Sequence, residues 1–282
     1  MRAQGKRVQA RRRTGKRVRK QSILKDRTGV GWLCRALAAA FVLLLGLSIW
    51  QYVSYALENR REERFMAGLQ AQAVTARETP APVLEEPPPE PELPPIEVDF
   101  ALLQEENPDI IAWIYCPDTE VNYPVLQSED NRYYLRRGSD GSYRVAGSIF
   151  ADCRNSAELS DENVILYGHN MTNGSMFALL PHYAQQEFYE EHPVWYLLTP
   201  TANYKAELFA GFVTSTKSLV YSTVQEETDD RPIMVKAWED SDFWGGPPPE
   251  EGERTITLST CSYEFSDARY VVVGVLRELD GA

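Results

Sequence analysis

Cysteine and histidine are scarce in this chain: 282 residues hold four Cys and three His. Neither a C-x-x-C pair nor a mixed Cys/His spacing occurs, which excludes a zinc site of the usual pattern, and no metal or other cofactor is expected. There are no internal repeats. Charge is missing from residues 36–57, a run dominated by Ala, Leu, Val, Phe and Ile. With so few thiols, each has a readable setting. Cys34 sits at the edge of the uncharged run, Cys116 in an apolar strand-like stretch and Cys153 in a loop. Cys116 and Cys153 are expected to be buried free thiols. A Cys116–Cys153 disulfide is the alternative, because an unpaired extracellular thiol is unusual.

The net charge of −12 conceals a division. Residues 1–35 carry 13 of the 29 basic side chains and one of the 41 acidic ones, about +12, which leaves about −24 on the rest. Alone, a basic N-terminus reads as a nucleic-acid arm. The uncharged run behind it points instead to a membrane, and no nucleic-acid partner is expected. At ~1.5 Å per residue, residues 36–57 span the ~30 Å hydrocarbon core. Trp32 lies near one end and Trp50, Tyr52 and Tyr55 near the other, as interfacial aromatics do. The basic block places the N-terminus in the cytoplasm and the bulk of the chain outside, and is suited to contact anionic membrane lipid. A cleaved signal peptide is the alternative, but the run is long for an h-region and no clear Ala-x-Ala site follows it directly.

Four regions are therefore expected: a basic cytoplasmic tail (1–35), a transmembrane helix (36–57), a stalk and linker (58–99) and an extracellular globular domain (100–282). Residues 58–77 read as a helical stalk. Residues 79–95 hold eight prolines amid glutamates, a composition that favours extended polyproline II over a packed core. Helices are expected at 100–106, 130–136, 175–180, 185–190 and 231–244. Strands are expected at 112–115, 120–126, 147–151, 163–167, 195–199, 204–216, 254–260 and 270–276. Many short strands with few helices imply a mainly β fold with helical insertions, closed or nearly closed into a barrel.

The chemistry centres on Thr257-Leu258-Ser259-Thr260-Cys261, with Arg269 eight residues further on. Residues 254–260 alternate polar and apolar side chains and are rich in β-branched residues. Ile256 and Leu258 face one way, and Thr257, Ser259 and Cys261 the other. Residues 262–268 read as a connection and 270–276 as a buried strand. Antiparallel pairing brings Cys261 and Arg269 to the same end of the hairpin, where a guanidinium lowers a thiol pKa or stabilises an anion. A thiol nucleophile needs a base, usually His. His182 falls in a helical stretch and His192 before Pro193. His169 leaves a strand-like Asn163-Val164-Ile165-Leu166-Tyr167 beside Gly168, where a rigid scaffold hands a side chain to a site. Without that context a core thiol is the default for Cys261. Ser259, Thr260, Tyr167 and Asn170 are candidate substrate-groove residues, whose alternative roles are strand packing and capping.

Thr257-Leu258-Ser259-Thr260-Cys261 with Arg269, and Tyr167-Gly168-His169-Asn170-Met171 upstream, resemble the sortase family, class B. The resemblance extends over roughly residues 100–279. It takes in the blocks 107–114, Tyr123-Pro124-Val125, 130–135 and Gly147-Ser148-Ile149-Phe150. It implies a closed sortase barrel of about eight strands, with N-terminal helices and a helix in the insertion before the Cys261 strand. It also implies a cysteine transpeptidase in which Cys261, His169 and Arg269 are catalytic. Its substrates would be secreted proteins with an Asn-Pro-x-Thr or Ser-Pro-x-Thr-Gly sorting signal, and its acceptor an amine of peptidoglycan or lipid II. Two alternatives stand beside it. One is a cysteine hydrolase or a pilin-polymerising sortase, although the C-terminal membrane segment common in the latter is not expected from residues 278–282. The other is a membrane-tethered binding barrel without activity.

Overall fold

A computed structural model of the chain describes residues 20–77, 92–224, 227–228, 231–262 and 266–279. The basic tail to residue 19, most of the proline-rich linker, the middle of the connection after Cys261 and the last three residues lie outside these. The chain divides into two units, 1–60 and 61–282. The helix α1 (Lys20–Ala73) runs through the first unit into the second. Among the described residues it is the one helix long and apolar enough to cross a membrane, with a mean hydropathy of 2.1 over its most apolar window and none of that window buried.

In the second unit, β1 (Val74–Ala76) pairs antiparallel with β2 (Ile96–Val98). The short helix α2 (Phe100–Glu106) follows, starting where Asp99 accepts a hydrogen bond from the Leu102 N–H, a side-chain N-cap. It stops at Asn107, before Pro108, since the residue ahead of a proline is driven out of the helical region. Eight strands then build a closed barrel: β3 (Ile110–Tyr115), β4 (Asn122–Leu126), β5 (Ile149–Ala151), β6 (Asn163–Tyr167) and, after the helix α3 (Gln186–Glu191), β7 (Val194–Leu198) and β8 (Asn203–Ser215). A long insertion comes next, with the small hairpin β9 (Glu227–Thr228) and β10 (Arg231–Pro232) and the helix α4 (Ile233–Glu239). The last barrel strands are β11 (Thr255–Cys261) and β12 (Ala268–Leu279). The order around the barrel is β11-β12-β8-β7-β3-β4-β5-β6. Every junction is antiparallel except β4–β5 and the closing β6–β11, which are parallel.

Alternation decides which face each side chain meets. Ile256 and Leu258 of β11 and Val164 and Leu166 of β6 point into the barrel, where they pack with Ala112, Ile114 and Trp195. On the outside, Ile165, Val271 and Val273 are covered by Met234 and Ala237 of α4 and by Val220 and Tyr221 of the insertion. Another outer face is covered by Leu69 and Ala73 at the end of α1, with Leu103 of α2, against Trp113 and Leu198. The segment expected as a helical stalk is helical to Ala73, and its end belongs to the second unit, which begins at Arg61.

Three helical expectations differ from what forms. Residues 130–136 give only a 3-10 turn at Tyr134–Arg136. The Asp130 carboxylate accepts the N–H groups of both Arg132 and Tyr133, and such local bonding competes with a helix. Residues 175–180 form no α-helix, because Met176 has φ +59 and bridges back to Asn170; the 3-10 turn begins at Leu180. Residues 231–244 are helical only over Ile233–Glu239. The Ser241 hydroxyl there donates to the Phe243 carbonyl and accepts from the Gly211 N–H, which pulls the chain across β8. The four cysteines are free, so no Cys116–Cys153 disulfide forms. Cys116 is buried one residue past β3, and burial pushes its thiol up to about 12. Cys153, expected to be buried, is exposed.

Because Leu69 is 7% exposed within the packed unit, Leu69→Ala is expected to destabilise it by about 2–5 kcal/mol, as for other buried Leu truncations. Urea denaturation of a fragment covering residues 61–282 measures this, and a fragment starting at Ile96 should melt below the longer one.

Candidate active site

The site grows out of the one parallel junction that closes the barrel. In the β6–β11 ladder Tyr167 lies opposite Ser259, and the Gly168 N–H donates to the Ser259 carbonyl at 3.1 Å. Both strands run the same way, so both deliver their C-terminal ends to one place. Tyr167 and His169 continue the outward-facing parity of β6, and Ser259 and Cys261 that of β11. On the other side of β11, Cys261 is in register with Arg269 of β12, so the two side chains share a face. His169, Cys261 and Arg269 line a single open cleft of ≈ 520 Å³, together with Tyr167, Ser259 and Thr260. Asn170 does not line it: its Nδ2 donates to the Cys261 carbonyl at 3.1 Å. The part played by Thr260 is also indirect, since its hydroxyl is buried and donates to the Gly168 carbonyl at 2.9 Å.

The rest of the cleft wall comes from the loop before β5 and from the insertion, and the sequence did not point to it. Asn131 and Leu135 stand on one side; Lys217, Leu219 and Tyr221 stand on the other. At its floor Asp152 is fully buried and takes two bonds from the Arg154 guanidinium at 2.8 Å each, one from the Arg154 backbone N–H at 2.9 Å and one from the Tyr167 hydroxyl at 2.8 Å. Burial alone would raise the Asp152 carboxyl, but these bonds outweigh it and hold the carboxyl below its ordinary value. Arg154 also donates to the Tyr221 carbonyl at 2.9 Å, and the Tyr221 and Ser259 hydroxyls meet at 2.8 Å. Asp152-x-Arg154 is an ordinary loop spacing, and nothing marks Tyr221 before the insertion folds over β11.

Backbone carbonyls hold both His169 and Arg269 in place. A carbonyl only accepts, so the 2.8 Å contact of His169 Nε2 with the Leu135 carbonyl makes Nε2 the protonated nitrogen of the neutral ring. Gly147 lets that carbonyl sit where it does. Its φ is +61, and a Cβ there would lie 2.6 Å from the carbonyl oxygens of both Leu135 and Tyr134. Gly168 is also required, since a Cβ would fall 2.5 Å from Ile149 Cδ1. Burial lowers the His169 pKa from its ordinary value; the Leu135 bond raises it, and the charges of Arg136 and Arg269 lower it further, for a net fall. Arg269 Nη1 donates to the Ala268 carbonyl at 2.9 Å, which also receives the Ser262 N–H at 3.0 Å.

The Sortase domain model matches residues 114–277, more than half of the chain. The chain belongs to the sortase family. A curated sortase B of Listeria monocytogenes is 40% identical over 177 residues, covering 62% of this chain and 72% of that one. The sortase B of Staphylococcus aureus is 33% identical with the same coverage. Among solved structures, a Bacillus anthracis protein described as similar to sortase B aligns over 78% of this chain and 97% of its own, with a TM-score of 0.63 and 31% identity. A Staphylococcus aureus sortase B–substrate complex aligns over 64% of this chain and 84% of its own, with a TM-score of 0.59 and 33% identity. The chain is thus a sortase B-like cysteine transpeptidase, and the eight-stranded barrel is the sortase barrel.

A lowered His169 pKa has a consequence for pH dependence. If catalysis needs this imidazole, the acidic limb of the kcat/KM profile should lie on the acidic side of the ordinary histidine value of about 6.5. Arg136→Gln removes a positive charge that opposes protonation, so it should move that limb to higher pH. Profiles of both proteins check the sign.

Proposed function

We propose that the chain is a membrane-anchored transpeptidase that cleaves a C-terminal sorting signal and transfers the protein to a cell-envelope amine. The signal would be of the Asn-Pro-x-Thr or Ser-Pro-x-Thr-Gly kind, and the acceptor an amine of peptidoglycan or of lipid II. The observation that carries this reading is the meeting of Cys261, Arg269 and His169 in one cleft at the end of β6, β11 and β12. The similar proteins support it: one solved structure is a sortase B–substrate complex and another a sortase B complexed with triglycine, a peptide with a free amine.

In this mechanism the Cys261 thiolate attacks the scissile carbonyl. The carbonyl carbon gains the C–S bond, and its π electrons move to oxygen. Arg269 stabilises that oxyanion. Arg269 gives Nη1 to the Ala268 carbonyl, and a guanidinium keeps further N–H donors for the oxyanion. His169, as imidazolium, protonates the leaving amine as the C–N bond breaks, which leaves a thioacyl enzyme. The neutral ring then takes a proton from the incoming amine as it attacks, and the thiolate leaves. Since Nε2 is held on the Leu135 carbonyl, Nδ1 is the nitrogen that exchanges the proton. Ser259 and Tyr167 form the groove beside the thiol.

Assayed with sorting-signal peptides, Cys261→Ala should abolish cleavage and trap no acyl-enzyme, and His169→Ala should fall to near background while still folded. Losing one oxyanion donor costs about a hundred- to a thousandfold in rate, and Lys lacks the planar fork of Arg. Arg269→Lys should therefore lose on the order of a hundredfold in kcat/KM without a loss of Tm. Near-normal turnover in any of the three removes that residue from the mechanism.

The anchor is the other part of the reading. None of the most apolar window of α1 is buried, and the basic residues ahead of it set the N-terminus in the cytoplasm. A reporter fused after Ala282 should be active only outside the cytoplasm; activity inside would refute the orientation.

A further inference from the structure

We infer that Asn170 is a positioning residue for the Cys261 thiol and does not meet the substrate. The inference rests on the proposed role of Cys261 as nucleophile. On the β6 side of β11 the backbone ladder ends with Tyr167 opposite Ser259 and the Gly168 N–H on the Ser259 carbonyl. Side chains take over where it stops. Thr260 Oγ1 donates to the Gly168 carbonyl at 2.9 Å. One residue further, Asn170 Nδ2 donates to the Cys261 carbonyl at 3.1 Å. That bond ties the β6 side to the peptide that carries the thiol, at the last residue of β11.

Asn170 is itself held in place. It forms an antiparallel bridge with Met176, and the Phe177 N–H donates to the His169 carbonyl at 3.1 Å. Phe177 and Met176 are both buried. Neighbouring side chains on extended backbone point to opposite sides: His169 lines the cleft, whereas Asn170 turns to β11. One short, pinned piece of chain therefore sets the place of the imidazole directly and of the thiol through a single hydrogen bond. Loss of that bond lets the Cys261 peptide tilt. The sulfur then shifts relative to His169 and Arg269, while the groove walls at Leu135, Tyr167 and Leu219 stay where they are. Misplacement of a reacting atom by about 1 Å costs up to roughly a hundredfold in rate, and it acts on kcat because the walls that bind substrate are unchanged.

The test uses the full chain in detergent and a fluorogenic peptide of the Asn-Pro-x-Thr kind. Asn170→Ala and the near-isosteric Asn170→Asp both lack the donor; Asn170→Gln keeps it on a longer arm. For Ala and Asp, kcat should fall about ten- to a hundredfold with KM within about twofold, and Gln should recover part of the loss. A single hydrogen bond contributes modestly to stability, so Tm should move by no more than about 4 °C in a chain of this size. A rise in KM at unchanged kcat would make Asn170 a substrate contact and overturn the inference, as would normal kcat in Asn170→Asp. A loss of kcat that tracks a larger fall in Tm and is not recovered by Gln would reduce Asn170 to a fold residue, and would overturn it too. Cleavage by Cys261→Ala would instead refute the nucleophile on which the inference rests.

Discussion

The parallel ladder between β6 and β11 holds this structure to its chemistry. It joins strands separated by about ninety residues, closes the barrel, and aims two strand ends the same way. The antiparallel β11–β12 hairpin then adds Arg269 opposite Cys261. A slip of one residue in the β6–β11 register would turn Tyr167 into the barrel and Leu166 out of it. The apolar filling of the barrel therefore enforces the alignment of the site: Val164 and Leu166 belong inside with Ile256 and Leu258. Packing and catalysis share one register.

The outward face of the same strands is polar where a water-facing β-sheet would need nothing special, yet here it is covered. Asn163 resolves that problem. Its Nδ2 donates to the carbonyls of Val220 and Ser222 in the insertion, and its Oδ1 accepts from Thr255 and Thr257 of β11. Asn155 joins in, donating to the Asn163 carbonyl and accepting from the Ile165 N–H. These buried polar groups are satisfied by one another, as buried polar groups must be. The network fastens the insertion to the barrel, and Tyr221, Leu219 and Lys217 thereby become a cleft wall. Asp152 does the same at the floor through Arg154 and Tyr167. The groove is built from well-satisfied hydrogen bonds that lie outside the proposed reacting groups.

The cleft itself has a different character. Burial and two arginines work against a charge on His169, and only the Leu135 carbonyl supports it. A histidine proposed to act as an acid thus sits where its charged form is the minority near neutral pH. That arrangement keeps the proton transferable, while it lowers the fraction of molecules in the reactive state. Arg269, proposed to serve the transition state, disfavours the imidazolium, so the two groups oppose each other in the ground state. Their balance follows from how tightly the loop around Gly147 delivers the Leu135 carbonyl.

Much of this was legible in the residues. Alternation in 254–260 revealed the β11 face that carries Cys261, the hairpin geometry paired Cys261 with Arg269, and the Tyr167-Gly168-His169 exit singled out one histidine of three. Local chemistry suffices there, because a strand's period and a turn's residues act within a few positions. The helices at 130–136 and 175–180 failed for the same local reason seen in reverse: an Asp130 carboxylate bonding to nearby N–H groups and a left-handed Met176 override propensity. What only the tertiary structure decided is of longer range. Which strand lies beside β11, whose carbonyl meets His169, which insertion residues wall the cleft, and that Asn170 grips the Cys261 carbonyl all depend on contacts between segments 34 to 92 residues apart. No side chain announces such a contact, because a backbone carbonyl is common to every residue and only the closed barrel selects the one that is used.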